Sequence, residues 1–384
     1  MRRAYKFRIY PNANQCRELG IMLESHRRLY NACLDQRKTS YETEGTSVSY
    51  AVQSAWFKAQ RAANPFFARL NFSSAQATMR RLDKAFAAFF RRCKSGQKPG
   101  YPRFKSRDHW SSIEFPAYGD GIRLIENRLR VQHVGTVRCK VHRAVEGTVK
   151  TAVVKCEAGK WFVVLSCALG DVAVPSNGLP CVGIDVGLEA FLTTSDGKRV
   201  SNPRYLKGEL PELRRRQRAV ARKVRGGKNR RKAVRRVQVL HVRVKNLRRE
   251  HHHQTALSLV RSHGLIGVEG LTVKNMVKNH SLARAISDAG WASFVNILRH
   301  KAESAGAEVV AVNPAGTSQE CCECGETVKK LLRERWHRCP HCGLVLHRDE
   351  NAARNILARA LQARMGPVGV NAESRVAQEA VCFS

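Results

Sequence analysis

Four cysteines near the carboxyl end of the chain have the spacing of a metal site. Cys321 and Cys324 form one Cys-x2-Cys pair, Cys339 and Cys342 form a second, and 14 residues separate the two pairs. A glycine follows each pair, and two such turns can direct four thiolates at one tetrahedral Zn²⁺. Because four sulfurs close the coordination sphere, we expect a structural zinc whose loss would unfold this small module.

Three carboxylates stand where a mixed α/β sheet could gather them. Asp185 interrupts the β-branched run that begins at Val182, Glu269 ends the apolar run that begins at Leu265, and Asp349 precedes a helical pattern. Taken singly, the three could be a strand-end residue, a surface strand end and a helix N-cap. If they converge, burial of like charges would favour Mg²⁺ or Mn²⁺, which hard oxygen ligands select. A pair of such ions about 3.5–4 Å apart supports in-line phosphodiester cleavage.

The charge balance points to a polyanionic partner. The 384 residues include 68 Lys and Arg against 31 Asp and Glu, a formal net charge of +37, which favours nucleic acid. Between residues 214 and 249, 17 of 36 positions are Lys or Arg and none is acidic, on helical patterns that Gly226 and Gly227 interrupt. Such a dense run of positive charge without acids favours contact with a phosphate backbone over a merely solvated helix face. The candidate contacts in this run are Arg214, Arg215, Arg222, Arg230 and Arg231.

A second basic segment carries aromatic rings. Residues 96–105 contain two prolines and two glycines and cannot be helical. Within them Tyr101 and Phe104 alternate with Arg103 and Lys105, a composition suited to stacking on bases and pairing with phosphates. The alternative is a basic surface loop whose rings fill the neighbouring core.

The elements that must position these residues change in character along the chain. Residues 4–10 alternate as a strand, and helical patterns follow to about Asn64 and again from Ser73 to Cys93. The second helical stripe includes Phe86, Phe89 and Phe90, which we expect in the core. Residues 113–169 predict short strands, which we interpret as a small β-barrel-like domain with the first helices inserted after its opening strand.

The hydrophobic pattern changes after a linker at residues 175–180. It then predicts a β-meander at 182–200, strands at 265–269 and 308–312, and helices at 282–304 and 350–361. Residues 366–384 have no periodicity and predict a mobile tail. No secretory signal or spanning segment is visible, and nine of the thirteen cysteines fall outside the paired spacing. We therefore expect a soluble protein that stays inside the cell, without a disulfide framework.

Several motifs together resemble the transposon-encoded TnpB family, also catalogued as OrfB transposases and related to the type V CRISPR nucleases. They are Val182-Gly-Ile-Asp-Val-Gly187, Gly267-Val-Glu-Gly-Leu271 with Val273-Lys-Asn-Met276, Thr317-Ser-Gln-x-Cys-x-x-Cys-Gly325, Cys339-Pro-x-Cys-Gly343 and His347-Arg-Asp-x-Asn-Ala-Ala-x-Asn355. The segments Tyr5-Lys-Phe-Arg-Ile-Tyr-Pro11 and Gly100-x-Pro-Arg-Phe-Lys105 are similar to that family too. The resemblance spans about residues 1–365. Cys322 is a departure that leaves the choice of zinc ligand slightly open.

The resemblance implies an RNA-guided DNA endonuclease with Asp185, Glu269 and Asp349 as the catalytic acids. It implies a guide RNA from the transposon end and target double-stranded DNA as partners, a catalytic Mg²⁺ or Mn²⁺, and Lys274 among the nucleic-acid contacts. The implied fold is α+β and multidomain: an RNase H-like (RuvC) α/β nuclease domain with an inserted zinc ribbon, and a β-barrel wedge domain with an inserted helical recognition domain. The expected boundaries are 1–10 and 109–174 for the wedge, 11–108 for the recognition domain, 175–316 and 346–365 for the nuclease domain, and 317–345 for the ribbon.

Two other functions stay open at this level. A nucleic-acid-binding repressor on the same frame would be expected to have lost catalytic acids, and all three are present. A transposase that transfers strands with a tyrosine nucleophile would need a His-hydrophobic-His pair, which His251-His-His253 lacks; we interpret this cluster as phosphate-side or packing residues. A metal-dependent strand transferase using the same acids is harder to exclude from the residues alone.

Overall fold

The structure is a computed structural model that describes residues 2–170, 174–331 and 334–365. The chain divides into two compact units, Met1–Val172 and Ala173–Ser384, and each is considered by itself. The expected tail at 366–384 lies outside the described residues. None of the helices in the described ranges is both long enough and apolar enough to cross a lipid bilayer.

One antiparallel sheet of seven strands organises the first unit. Its strands are β1 (Arg2–Tyr10), β2 (Ser112–Phe115), β3 (Ile122–Ile125), β4 (Arg128–Val131), β5 (Gly135–Lys140), β6 (Thr148–Glu157) and β7 (Lys160–Ala168). Their spatial order is β2-β6-β7-β1-β5-β4-β3, so the amino-terminal strand lies in the middle and buries Tyr5, Phe7 and Ile9. The alternation at residues 4–10 is therefore confirmed. Among the described pairings no ladder joins β2 to β3, and closure into a barrel stays a prediction.

Four α-helices lie in sequence between β1 and β2, and a short 3-10 helix, Arg107–His109, follows them. They are α1 (Ala13–Glu44), α2 (Tyr50–Ala63), α3 (Pro65–Ala68) and α4 (Phe72–Lys94). An apolar core between them includes Leu29, Tyr30, Phe57 and Met79. The expectation that Phe90 belongs to this core is wrong, because its side chain is 55% exposed. Helical spacing places Phe90 on the same apolar stripe as Met79 and Leu82. Those two residues are buried in the core, whereas the last turn of α4, from residue 90 to residue 94, is exposed.

A mixed sheet of five strands organises the second unit. Its strands are β8 (Cys181–Val186), β9 (Ala190–Thr194), β10 (Arg199–Ser201), β11 (Leu265–Glu269) and β12 (Glu308–Val312), in the order β10-β9-β8-β11-β12. The antiparallel run β8-β9-β10 confirms the predicted meander. Strand β11 is parallel to both β8 and β12, so the carboxyl ends of these three strands share one edge.

In the part of this unit that the structure describes, six helices and one short hairpin accompany the sheet. They are α5 (Tyr205–Ala221), α6 (Lys228–Ser262), α7 (Val273–Met276), α8 (Ala283–Ala289), α9 (Trp291–Ala305) and α10 (Arg348–Met365), with the hairpin strands β13 (Trp336–Arg338) and β14 (Val345–His347). The break at Gly226 is confirmed. The single helix expected at 282–304 is wrong, because Gly290 at φ 68° ends α8 and precedes α9. A Cβ there would lie 3.1 Å from the Arg248 side chain and 3.2 Å from that of His252, which favours glycine.

The domain boundaries expected from the sequence stay predictions. The described elements supply the two sheets, the helices that follow β1 and the cysteine-bearing hairpin, and they set no limits on independently folding parts.

Candidate functional site

Two parallel strands bring Asp185 and Glu269 to the same sheet edge. The register pairs Gly183 with Gly267 and Ile184 with Val268, so the two acids are the next neighbours along β8 and β11. Adjacent strands lie about 4.8 Å apart and successive side chains alternate between faces. Both acids therefore project from the same face as the glycines two residues before them.

Helix α10 packs closely on that face. A Cβ at position 183 would lie 2.0 Å from the carbonyl oxygen of Ala353, and one at position 267 would lie 2.9 Å from the Cβ of Ala360. Glycine is required at the first of these positions, because the contact is with helix backbone. The helix begins at Arg348, and its first turn carries Asp349. Asp349 is thus inside the helix and is not its N-cap, contrary to the structural alternative raised for it.

The three carboxylates interact electrostatically. Burial raises the pKa of Asp185 well above its usual value, and the negative charges of Glu269 and Asp349 raise it further. Burial also raises the pKa of Glu269, an effect that a hydrogen bond from Thr317 opposes. Partly buried like charges of this kind favour occupation by a divalent cation, and three carboxylates are the hard donors that Mg²⁺ and Mn²⁺ prefer. The donor set therefore fits those ions.

Glu269 and Asp349 also contact neighbouring side chains. The hydroxyl of Thr317 lies 2.6 Å from Oε1 of Glu269 and donates to it. The backbone amide of Asp349 donates to Nδ1 of His347. The Oδ2 atom of the Asp349 carboxylate lies 3.9 Å from Nη2 of Arg199. In the described part of the chain the carboxylates are not gathered as tightly as the cysteines, which form the one group placed to ligate a single ion.

The four predicted cysteines converge. Their sulfurs all lie within 4.8 Å of one another, with 3.6 Å between Cys321 and Cys342 and 3.5 Å between Cys324 and Cys339. Zn–S bonds of about 2.3 Å in a tetrahedron require sulfur separations of roughly 3.7 Å. The cluster is therefore compatible with a structural zinc.

Two matching turns build the cysteine cluster. The amides of Gly325 and Gly343 donate to the carbonyls of Cys321 and Cys339 at 2.9 and 3.0 Å. Both glycines have φ between 74° and 79°, a conformation that other residues rarely adopt. The neighbouring Cys322 lies outside the cluster, and its amide donates to Oδ1 of Asn351.

Four aromatic residues form a partly exposed cluster that we call the aromatic platform: Phe86 and Phe89, which are half-buried, and Phe90 and Tyr101, which are exposed. The ring of Tyr101 meets the rings of Phe86 and Phe89 edge to face at 5.6 and 5.4 Å. Tyr101 is 45% exposed, and Phe104 and Arg103 are exposed beside it. Tyr101 packs on α4, as the surface-loop alternative expects, and it also presents its ring to solvent, so contact with nucleic acid stays a prediction.

Lys105 anchors this segment by its backbone. Its amide donates to Oδ1 of Asn31, and its carbonyl accepts hydrogen bonds from Asn31 and Arg27. The side chain lies half-buried with its ammonium 5.8 Å from the Tyr30 ring, so Lys105 is less available to a ligand than Arg103.

The predicted basic contacts in and directly after α5 and in α6 lie at the surface or half-buried. Arg214, Arg222 and Arg231 are exposed and Arg230 is half-buried, while Arg215 forms an ion pair with Glu212 at 2.7 Å. Lys274 is exposed on α7. The roles of these residues in binding nucleic acid stay predictions.

The histidine cluster on α6 packs against the core. His252 is buried against Phe191 and Phe294, and its Nε2 lies 2.9 Å from the carbonyl oxygen of Ala289. His251 also packs against Phe191, with 4.8 Å between the two ring centroids. The packing interpretation is therefore the one that the contacts favour.

Sequence reasoning assigned no role to three buried polar residues near the acids, Thr317, Asn351 and Asn355. The two asparagines lie four residues apart on α10 and bond to the loop that carries Thr317. The available signal in the sequence was that Asn351 and Asn355 lie one helical turn apart beside Ala352 and Ala353, which places them on the side of the helix that packs.

Family comparisons cover most of the chain. A model described as "Probable transposase" (OrfB_IS605) matches residues 165–280, and a model of a Cas12f1-like TNB domain matches residues 291–356. A helix-turn-helix model matches residues 1–46, although the described part of that range is strand β1 followed by the single helix α1.

Curated relatives match over nearly the whole length. A Streptomyces pristinaespiralis protein named "Putative RNA-guided DNA endonuclease" is 34% identical over 94% of this chain and 90% of its own. The chain belongs to the OrfB/TnpB family. A second OrfB/TnpB relative, the Escherichia coli K12 protein named "Putative RNA-guided DNA endonuclease InsQ", is 29% identical over 92% of this chain and 91% of its own. A solved structure titled "Structure of the mini-RNA-guided endonuclease CRISPR-Cas_phi3" aligns with 97% of this chain and 94% of its own at 11% identity and a TM-score of 0.49.

Proposed function

We propose that this chain is an RNA-guided DNA endonuclease of an insertion-sequence transposon, with its catalytic centre at Asp185, Glu269 and Asp349. The proposal is supported by two observations in a member of a family with relatives named RNA-guided DNA endonucleases: Asp185 and Glu269 lie at the carboxyl ends of neighbouring parallel strands, and the charges of Glu269 and Asp349 both raise the pKa of Asp185. The proposed partners are a guide RNA from the transposon end and double-stranded target DNA.

The proposed chemistry is metal-dependent phosphodiester hydrolysis. The three acids would hold Mg²⁺ or Mn²⁺, and a pair of such ions would supply activation of a water and charge stabilisation for the departing 3′ oxygen. Thr317 donates a hydrogen bond to Glu269, and α10, which carries Asp349, packs closely against β8 at Gly183. Arg199 and Arg348 lie beside Asp349 and Asp185 and offset part of the negative charge.

We assign roles to the rest of the chain on the same basis. Residues 175–316 and 346–365 would form the RuvC-like nuclease domain, 317–345 the zinc ribbon, 1–10 and 109–174 the wedge, and 11–108 the recognition domain. A guide–target duplex is held through its backbone, and a chain of net charge +37 suits that demand. The aromatic platform and Arg103, with the arginines of α5 and α6 and Lys274, are the proposed contacts.

The test is guide-dependent cleavage. The protein is expressed with its flanking transposon DNA, the copurifying RNA is sequenced, and a plasmid that matches this RNA is incubated with Mg²⁺. We expect cleavage by the wild type and none by Asp185→Ala with equal bound RNA. A protein that purifies without RNA, or an alanine variant that cuts as well as the parent, would refute the proposal. Joined strands in place of cut ends would indicate a strand transferase.

A further inference from the structure

We propose that Thr317 is a positioning residue for Glu269, held by Asn351, Asn355 and Arg359 of α10. The cysteine module would then fix the orientation of one carboxylate of the nuclease site. This inference rests on the proposed function and adds a mechanical link that the proposed function does not require.

The first link is the hydrogen bond from Thr317 to Glu269. The hydroxyl lies 2.6 Å from Oε1 of the carboxylate and 3.1 Å from the carbonyl oxygen of Pro314. A hydroxyl has one hydrogen, and the shorter contact to the charged acceptor receives it. Thr317 is buried, so water does not compete readily for this bond. The bond restricts the rotation of the Glu269 carboxylate at the end of β11.

The second link holds the Thr317 loop to α10. Asn355 donates one amide hydrogen to the carbonyl of Thr317 at 2.9 Å and the other to the carbonyl of Glu320 at 2.8 Å. Arg359, one turn further, donates to the carbonyls of Asn313 and Ala315, each at 2.7 Å. The loop is thus tied to the helix on both sides of the threonine.

The third link reaches the cysteines. Asn351 donates to the carbonyl of Glu320 at 2.7 Å and accepts from the amide of Cys322 at 3.0 Å. These two bonds flank Cys321, a member of the four-cysteine cluster. Asn351, Asn355 and Arg359 recur at four-residue steps, so one stripe of α10 binds residues 313–322. The same helix packs on the sheet through Ala353 and Ala360.

The geometry predicts an effect on metal affinity, because the outer partners of a ligating carboxylate set its orientation. Thr317→Val keeps the shape and removes the donor, and Thr317→Ser keeps the donor. We expect Thr317→Val to weaken Mn²⁺ binding by the guide-bound protein, measured by electron paramagnetic resonance without target DNA, by roughly 10- to 100-fold. The Mg²⁺ concentration for half-maximal cleavage should rise in parallel. Thr317→Ser should stay near the wild type.

Two further variants separate positioning from general damage. Thr272→Val makes the same change at an exposed threonine three residues after Glu269 whose side chain does not cap α7, and it should leave both readouts unchanged. Asn355→Asp replaces the NH2 group that donates to the carbonyls of Thr317 and Glu320 by an acceptor oxygen. It should weaken Mn²⁺ binding although Thr317 keeps its hydroxyl. Zinc content and bound RNA report on folding.

The outcomes distinguish the two proposals. If the wild type binds Mn²⁺ and cuts, and Thr317→Val matches Thr272→Val in both readouts, the positioning inference is overturned and the proposed function stands. If Thr317→Ser is as impaired as Thr317→Val, the hydroxyl is not the operative group and the inference is also overturned. A wild type that neither binds Mn²⁺ nor cuts overturns both.

Discussion

The substitution Gly183→Ala tests whether close helix packing assembles the carboxylate site. A methyl group at 183 would lie 2.0 Å from the carbonyl oxygen of Ala353 and 2.6 Å from the amide nitrogen of Leu357. Both atoms are backbone, so no side-chain rotation relieves the contact, and α10 must move by about 1 Å or more. Overpacking of this kind costs roughly 1–3 kcal/mol of stability. Asp349 moves with the helix, and a 1 Å misplacement costs on the order of 100-fold in rate.

Two other glycines provide a graded comparison. Gly267→Ala places its methyl group 2.9 Å from the Cβ of Ala360 and 3.1 Å from the carbonyl oxygen of Ile356, so a shift of a few tenths of an ångström relieves it. Gly208→Ala, on α5, points into open space and serves as the matched control. Alanine in a helix is more favourable than glycine by roughly 0.5–1 kcal/mol, so the control should be as stable as the wild type or slightly more.

The assay compares thermal midpoint, bound RNA and initial cleavage rate at saturating Mg²⁺. We expect the rate to fall in the order Gly208→Ala, Gly267→Ala, Gly183→Ala, with RNA bound by all three. A Gly183→Ala protein with the thermal midpoint and rate of Gly208→Ala would refute the argument that the glycine sets the distance between α10 and the sheet.

Three further predictions follow from other features. Elemental analysis should find one zinc per chain, and Cys324→Ser should lose it and make residues 317–345 sensitive to protease; full metal content in that variant would contradict the four-cysteine site. Burial lowers the pKa of His26 to about 3, below its unfolded value near 6.5, so the stability from its neutral form is complete above pH 6.5 and falls with pH below that. The slope of unfolding free energy should approach about 1.4 kcal/mol per pH unit, and His26→Gln should flatten it. Phe90→Ala should weaken single-stranded RNA binding by roughly 1–3 kcal/mol with an unchanged thermal midpoint, whereas loss of stability would place Phe90 in the core.

The sequence was most informative where a residue type conflicts with its local pattern. Asp185 and Glu269 each break or end an apolar strand, and the conflict marked them without knowledge of the pairing. Their adjacency depends on the parallel register of β8 and β11, which is a tertiary property. Gly183 and Gly267 gave no comparable signal, because a glycine in a strand indicates close approach without naming the approaching element.

The errors have equally specific causes. Helical periodicity assigns Phe90 to an apolar stripe but does not say where the covering residues end. A helical pattern often continues through a single glycine, so Gly290 alone did not indicate a break between α8 and α9. Its left-handed conformation is favoured by contacts with α6, which is distant in sequence. The sequence analysis gave no role to Thr317, Asn351 and Asn355 because polar side chains on an amphipathic helix or loop are usually solvated, and only the folded chain shows these three buried.

The central claim is that three distant acids jointly hold divalent ions, and anomalous scattering from Mn²⁺ in crystals of the guide-bound protein tests it most directly. We predict a Mn²⁺ peak within bonding distance of carboxylate oxygens from Asp185, Glu269 and Asp349, which Asp185→Asn should weaken or abolish. Mn²⁺ bound without one of the three acids, or a peak unchanged in Asp185→Asn, would contradict the account.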